Sequence, residues 1–317
     1  MSSFIKKYQP TKLSSFGFEE NTHQFIKKLI EIDNLSLLFI GESDSGKTTL
    51  LNCLIKEYYH GYEYKDYKEN IIYLNSAQEQ GIHYYRNEVK TFCQTCSIIK
   101  NKKKIVIIDD LDLINVQSQQ VFRNCIDIYS KNAHFICSCT NLKKIIESIQ
   151  SRLLIIKIPN ITEDKLINIC KKITLNENIN ISNETLKTFL KYCENSLRMM
   201  INYLEKFKLY NDEITEDVIN SLCTNISDNI FEKFINYLKE DKLVESIQLL
   251  NDIYNQGYSV MDILDSFFTY IKLTNTLDDN TKYKLIPYIC KYIHIFHDIH
   301  EDEIELAIFV NNIIKFI

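Results

Sequence analysis

The chain has 317 residues, with 37 Lys and Arg against 42 Asp and Glu and a formal charge of −5 at pH 7. That balance excludes a generally basic nucleic-acid-binding surface and confines any DNA contact to local patches or to partners. No stretch approaches the roughly 18 uncharged apolar residues of a membrane span, and Lys6 and Lys7 have no apolar segment behind them, so neither membrane association nor a signal peptide is expected. The ten cysteines are scattered singly, Cys53, Cys125, Cys170 and Cys290 among them, as buried thiols of a reducing intracellular compartment would be. The one C-x-x-C, Cys93 and Cys96, has no second pair or nearby His and reads as two small residues on one helix. The length suggests about two or three domains.

Residues 1–20 read as an extended arm, because Pro10 forces Gln9 out of helical geometry. The spacing then predicts an amphipathic helix over 22–32 with Phe25, Leu29 and Ile32 on one face. The apolar run 37–40 breaks at Gly41, and helical periodicity returns over 49–59. Gly41-Glu42-Ser43-Asp44-Ser45-Gly46-Lys47-Thr48-Thr49 therefore sits on a strand-to-helix turn, in the pattern Gly-x-x-x-x-Gly-Lys-Thr. The chain holds only six glycines, and two fall at this spacing. On such a turn successive N–H groups and the positive end of the helix point at phosphates. Lys47 neutralises phosphate charge there, and the Thr48 hydroxyl completes the shell of a Mg2+ ion.

A second short strand is expected over 71–75 and a helix over 79–96. Lys102, Lys103 and Lys104 read as a solvated loop leading into a strand candidate over 104–112, whose β-branched run suits burial on both faces. Asp109, Asp110 and Asp112 come where that strand ends, the edge at which open α/β sheets bind ligands, and Asp109 is placed to coordinate Mg2+. A helix over 116–129 carries Phe122, Ile126 and Tyr129 on one face, and strands follow over 134–139 and 154–158. Strand and helix alternation predicts a mostly parallel sheet covered on both faces, closed by Pro159. Beyond residue 162 only helical spacing remains: three segments over 162–222, a polar stretch over 224–228, and a second block of four or five segments.

Several further patterns, in order along the chain, resemble the small subunits of replication factor C, the sliding-clamp loader of the AAA+ ATPase class. Lys7-Tyr8-Gln9-Pro10 is similar to the family's Lys-Tyr-Arg-Pro arm. Leu74-Asn75-Ser76-Ala77 with Gly81-Ile82 and Arg86 resembles its Leu-Asn-Ala-Ser-Asp-Asp-Arg-Gly-Ile segment. Ser118 to Arg123 looks like its helix after the carboxylates, and Ser151-Arg152-Leu153 its Ser-Arg-Cys without the cysteine. Asn195-Ser196-Leu197-Arg198 resembles the lid's Gly-Asp-Leu-Arg, and Gly257-Tyr258-Ser259 with Asp262-Ile263 a collar signature.

The resemblance implies an α/β AAA+ core over 1–160, a small helical lid over 161–223 and an all-helical collar or oligomerisation domain over 224–317. It implies ATP and Mg2+ as cofactors. Tyr8, residues 41–49 and Arg198 would hold the nucleotide, and Thr48 and Asp109 the metal. Asp110 stands where the family has a glutamate base, Thr140 where it has a polar γ-phosphate sensor, and Arg152 where it has the finger that reaches a neighbour's ATP. One methylene less draws Asp110 back from the water, so slow hydrolysis is expected. Gln80 stands where the family has an arginine, which leaves Arg86, Arg123 and Lys90 as candidate contacts to the DNA backbone, with solvated helix faces as the plain alternative. The implied partners are paralogous subunits in a hetero-pentamer, a sliding clamp and primer-template DNA, in a nucleus or at a cytoplasmic replication site. A structural subunit that binds ATP without turnover and donates Arg152 is the alternative. A small-molecule phosphotransferase is the third reading, and the helical C-terminal half shows no acceptor pocket signal for it.

Overall fold

Five parallel strands form one sheet in the order β2-β3-β4-β1-β5, with β1 at Leu37–Ile40, β2 at Ile71–Asn75, β3 at Lys104–Asp109, β4 at Ala133–Cys139 and β5 at Leu154–Lys157. The computed structural model describes residues 3–16, 20–75, 82–193, 196–210, 212–223, 226, 228–274, 276–298 and 303–316. Side chains alternate across the sheet: Leu37, Phe39, Ile105 and Ile107 enter one core, and Leu38, Val106 and Ile108 the other. Burial on both faces is why these strands are nearly unbroken apolar runs. Helix α3 (Lys47–Tyr58) closes the first core with Leu50, Leu51 and Leu54. Helices α5 (Ile82–Gln94) and α6 (Val116–Tyr129) close the second through Val89, Cys93, Phe122 and Ile126. The fold is an α/β core with a parallel sheet, followed by helices. Among the described residues no helix is long and apolar enough to cross a membrane.

The arm is not extended throughout. Phe4–Tyr8 forms a short helix, α1, because the constraint from Pro10 acts only on the residue before it, and Gln9 turns extended at φ −62° and ψ 127°. Helix α2 (Glu20–Glu31) buries Ile26, with Leu29 and Ile30 packed beside it, while Phe25 and Ile32 are exposed. Ile32 lies past the helix end, so the true apolar stripe is the neighbouring one at i, i+3 and i+4. The three lysines at the start of β3 are not a solvated loop. Lys104 is buried, with Nζ donating to Phe92 O at 3.1 Å. Lys103 pairs with Asp33 at 3.2 Å, and Lys102 sits 4.2 Å from the Tyr58 ring centre. Their long stems cover apolar surface while the ammonium groups find acceptors.

Short helices α4 (Tyr64–Tyr67) and α7 (Glu147–Gln150) precede β2 and β5. Among the described residues of 162–222 there are four helices, not three: α8 (Glu163–Glu177), α9 (Asn183–Tyr192), α10 (Leu197–Tyr210) and α11 (Glu216–Leu222). The extra helix is α11, a short segment that follows the extended Thr215 and carries Glu216 and Asp217 in its first turn, where the helix dipole favours them. The chain divides into two compact units, Met1–Ile214 and Thr215–Ile317. In the second unit α12 (Asp228–Lys239), α13 (Leu243–Asn255), α14 (Val260–Leu273), α15 (Asp279–Asp298) and α16 (Glu303–Ile313) pack around Phe231, Phe234, Phe267 and Phe309. The Gly257 to Asp262 segment is a helix start: Gly257 takes φ 101°, and Ser259 and Asp262 form a reciprocal capping box for α14. Eight cysteines are buried; Cys96 and, against expectation, Cys290 are exposed.

At the amino end of the sheet His134 is buried, its Nε2 2.9 Å from Asp33, which also accepts from the Tyr58 hydroxyl at 2.7 Å. Burial holds the His134 imidazole below its usual range, against the pull of Asp33. Burial pushes the Asp33 carboxyl up, but bonds from Tyr58 and His134 outweigh it and hold Asp33 low. Both groups bind fewer protons folded than unfolded: the His134 contribution drains as pH falls below about 6.5, and the Asp33 contribution only below about 4. The urea midpoint of the full-length chain is therefore expected to fall between pH 7 and 5, and His134→Gln to flatten that part of the profile. A flat wild-type profile would contradict this.

Candidate functional site

The turn after β1 is shaped by close approaches. A Cβ on Gly41 would stand 2.5 Å from Ser45 Oγ, and one on Gly46, at φ 87°, would stand 2.9 Å from the Phe16 ring. At Gly46 the left-handed backbone itself favours glycine, while at Gly41 a Cβ would displace Ser45 Oγ and press on Ile158 at 3.3 Å. Gly46 caps α3, so the first N–H groups of that helix face the turn. Lys47 is buried, and its Nζ donates to the carbonyls of Gly41 at 3.1 Å and Glu42 at 2.9 Å. Glu42 accepts from Asn160 at 2.6 Å.

Because β4 lies between β3 and β1, the residues at their carboxyl ends meet. Thr48 Oγ1 donates to Asp109 Oδ2 at 2.5 Å, and Ser138 of β4 donates to the other Asp109 oxygen. The same Ser138 oxygen accepts from Asp110 N–H at 3.0 Å. Asp110 adopts φ 54°, and burial, then the charge of Asp109, push its carboxyl above the usual range against the pull of Lys47. Thr140 Oγ1 donates to Asp112 at 2.6 Å, and Asn141 N–H to the same oxygen at 3.0 Å. Burial pushes the Asp112 carboxyl up, but these donors prevail and hold it low.

Of these residues Gly46, Lys47, Thr48, Asp110, Asp112 and Thr140 line a cavity of about 390 Å³, together with Tyr8, Ser43, Asp44, Thr49 and Arg198, and Asp109 stands behind Thr48. Arg198 Nε lies 3.2 Å from Asp44. The Tyr8 hydroxyl donates to Glu177 of α8 at 2.5 Å, and Lys7 pairs with the same carboxylate at 2.6 Å. Gln9, which stands where arginine was expected, donates to Thr49 at 3.3 Å. A second, mostly apolar cavity of about 150 Å³ shares Pro10, Gly46, Thr49 and Leu197 with the first. The donor set fits a nucleoside triphosphate with a hard divalent cation: a glycine turn at a helix start, a buried ammonium, a hydroxyl and carboxylate as oxygen ligands, and an apolar slot for a base. Ser45 Oγ and Asp112 Oδ1 are buried there with no partner among the described residues. Among them no three His, Cys, Asp or Glu cluster as a metal-only site.

The other expected site residues lie elsewhere. Arg152 precedes β5, pairs with Asp127 of α6 and donates to Ser148 O at 2.6 Å; it does not line the cavity. Arg123 donates to Asn124 at 2.6 Å, and with Arg152 it holds the Asp127 carboxyl low. The Arg86 side chain lies outside the described residues, as do Ser76, Ala77, Gly81 and Asn195. Sequence reasoning missed Ser138, which has no motif of its own; its one signal was a hydroxyl in an apolar strand one position from the strand end.

A profile described as the ATPase family associated with various cellular activities, a nucleotide-binding family, matches residues 37–160, and the replication factor C C-terminal domain matches 226–295. The chain is 32% identical over 217 residues to replication factor C small subunit 2 of Pyrobaculum islandicum, covering 68% of this chain and 67% of that one. It is 31% identical over 270 residues to a replication factor C small subunit of Methanococcus maripaludis, with 84% of each chain covered. Among solved structures, a DNA polymerase III gamma-subunit-related protein of Thermotoga maritima shares the fold, with TM-score 0.52, 13% identity and 92% and 97% coverage. The chain belongs to the replication factor C small-subunit family, and is a subunit of a multi-subunit clamp loader in DNA replication.

Proposed function

We propose that this subunit binds Mg2+-ATP on the turn between β1 and α3 and hydrolyses it slowly, only when a ring of paralogous subunits, a sliding clamp and primer-template DNA are assembled. The observation that carries the reading is the chain of contacts Thr48, Asp109, Ser138 and Asp110 beside the phosphate turn. Bound Mg2+-ATP supplies the phosphoryl group and the counter-charge that make transfer possible. Lys47 exchanges its loop carbonyls for phosphate oxygens, and Thr48 and Asp109 hold the cation, with Ser138 fixing the Asp109 carboxylate. Asp110 accepts the proton of the attacking water, which its raised pKa favours and its short side chain hinders. Thr140, braced by Asp112, orients that water, and Arg198 reports the terminal phosphate. Pro10, Leu197 and Tyr8 receive the base. In this reading residues 1–160 are the nucleotide domain, 161–223 the lid and 224–317 the collar, and Arg86 and Arg123 touch DNA phosphates without reading sequence.

One substitution separates slow turnover from a purely structural role. Asp110→Glu restores the missing methylene and is expected to raise turnover in the reconstituted complex about tenfold. No change in phosphate release would favour the subunit that binds ATP without hydrolysing it.

A further inference from the structure

Asp44 stands inside the phosphate turn at φ 62°, in the left-handed region that favours glycine. Aspartate tolerates that backbone better than most residues, and here its side chain makes contacts that glycine cannot. One carboxylate oxygen lies 3.2 Å from Arg198 Nε, and the other accepts from the Ser196 hydroxyl at 2.5 Å. Ser196 Oγ also accepts from Met199 N–H at 3.3 Å, within the first turn of α10. The carboxylate therefore ties the turn to the start of α10, and both Asp44 and Arg198 line the same cavity.

A carboxylate on a guanidinium occupies the position a phosphate oxygen would take. We propose that Asp44 is a positioning residue for Arg198 that competes with the terminal phosphate of a nucleoside triphosphate for its guanidinium, and so sets how strongly this chain prefers triphosphate over diphosphate. The proposal rests on the nucleotide reading above. A negative charge in the turn opposes every phosphate, but the competition for Arg198 concerns only the phosphate that Arg198 reaches. Removing the charge thus strengthens triphosphate binding more than diphosphate binding, and Ser196 keeps an acceptor if the replacement is an amide. Glycine removes both contacts and relieves the backbone, so neither replacement threatens the fold.

The test is equilibrium titration of the full-length chain with fluorescent non-hydrolysable ATP and with fluorescent ADP, both with Mg2+. Asp44→Asn and Asp44→Gly are expected to raise the ratio of ATP to ADP affinity about tenfold, a moderate coupling between two groups. In an Arg198→Ala background the same substitutions are expected to change that ratio less than about twofold, because the contested group is gone. Equal effects on both nucleotides, or an undiminished effect without Arg198, would overturn the proposal while leaving nucleotide binding intact. Wild-type affinity in Lys47→Ala would overturn the nucleotide reading itself, and the role of Asp44 with it.

Discussion

Arg152→Ala is expected to lower ATP turnover at the neighbouring subunit's site by about a thousandfold, the lower end of what an arginine supplied across an interface contributes. The measurement is phosphate release from reconstituted complexes in which only that neighbouring site keeps its phosphate-loop lysine. Nucleotide binding by the full-length variant alone is expected to match wild type, since Arg152 does not line its own cavity. Its guanidinium is one-third exposed and paired with Asp127, itself about two-fifths exposed. A pair so open to solvent is worth little, which leaves the arginine ready to exchange a carboxylate for a phosphate. Unchanged turnover would mean that Arg152 serves only to anchor the end of α6.

Lys47→Ala carries the second large effect. The ammonium is buried in the turn and held on two carbonyls, so its loss removes the charge that meets the phosphates and leaves those carbonyls without their donor. Charge-assisted bonds are worth roughly 1.5–3 kcal/mol each, so Mg2+-ATP affinity of the full-length chain is expected to weaken about a hundredfold or more. The fold is expected to hold, because the cores on both faces of the sheet do not include this residue. Binding by titration calorimetry, beside the far-UV spectrum of the same sample, checks both statements.

The parallel sheet and the place of the phosphate turn were legible because a strand buried on both faces writes its own signature, an apolar run broken by glycine or by carboxylates. Helix α6 was legible to the residue, since its apolar period and its Asn115 cap agree. The face of α2 was not: two adjacent stripes fit the helical period, and only the packing of Ile26 chose between them. Lys102, Lys103 and Lys104 misled because a lysine's stem is apolar and its charge needs only one acceptor, and acceptors such as the Phe92 carbonyl and Asp33 are remote in sequence. Ser138 and the Asp44 link to Arg198 were invisible for a related reason. Each depends on neighbours brought together by strand order or by a later helix, and residues 44 and 198 carry no mark of each other in the sequence.

The same geometry explains why motifs alone overstate function. Thr140, aligned with a sensor, donates its hydroxyl to Asp112, and Gln9 reaches Thr49 where an arginine was expected. Each keeps a polar group at the cavity without the charge or reach of the family residue, which is consistent with the slow turnover proposed above.

The most direct test is the rate of ATP hydrolysis by the full-length chain alone, set beside the rate in the complex reconstituted with its paralogous subunits, clamp and primer-template DNA. Arg152 does not line the cavity of its own chain, so turnover is expected to stay near background alone and to rise at least about a hundredfold on assembly. A lone chain that hydrolyses ATP as fast as the complex would contradict the claim that a neighbour completes the site.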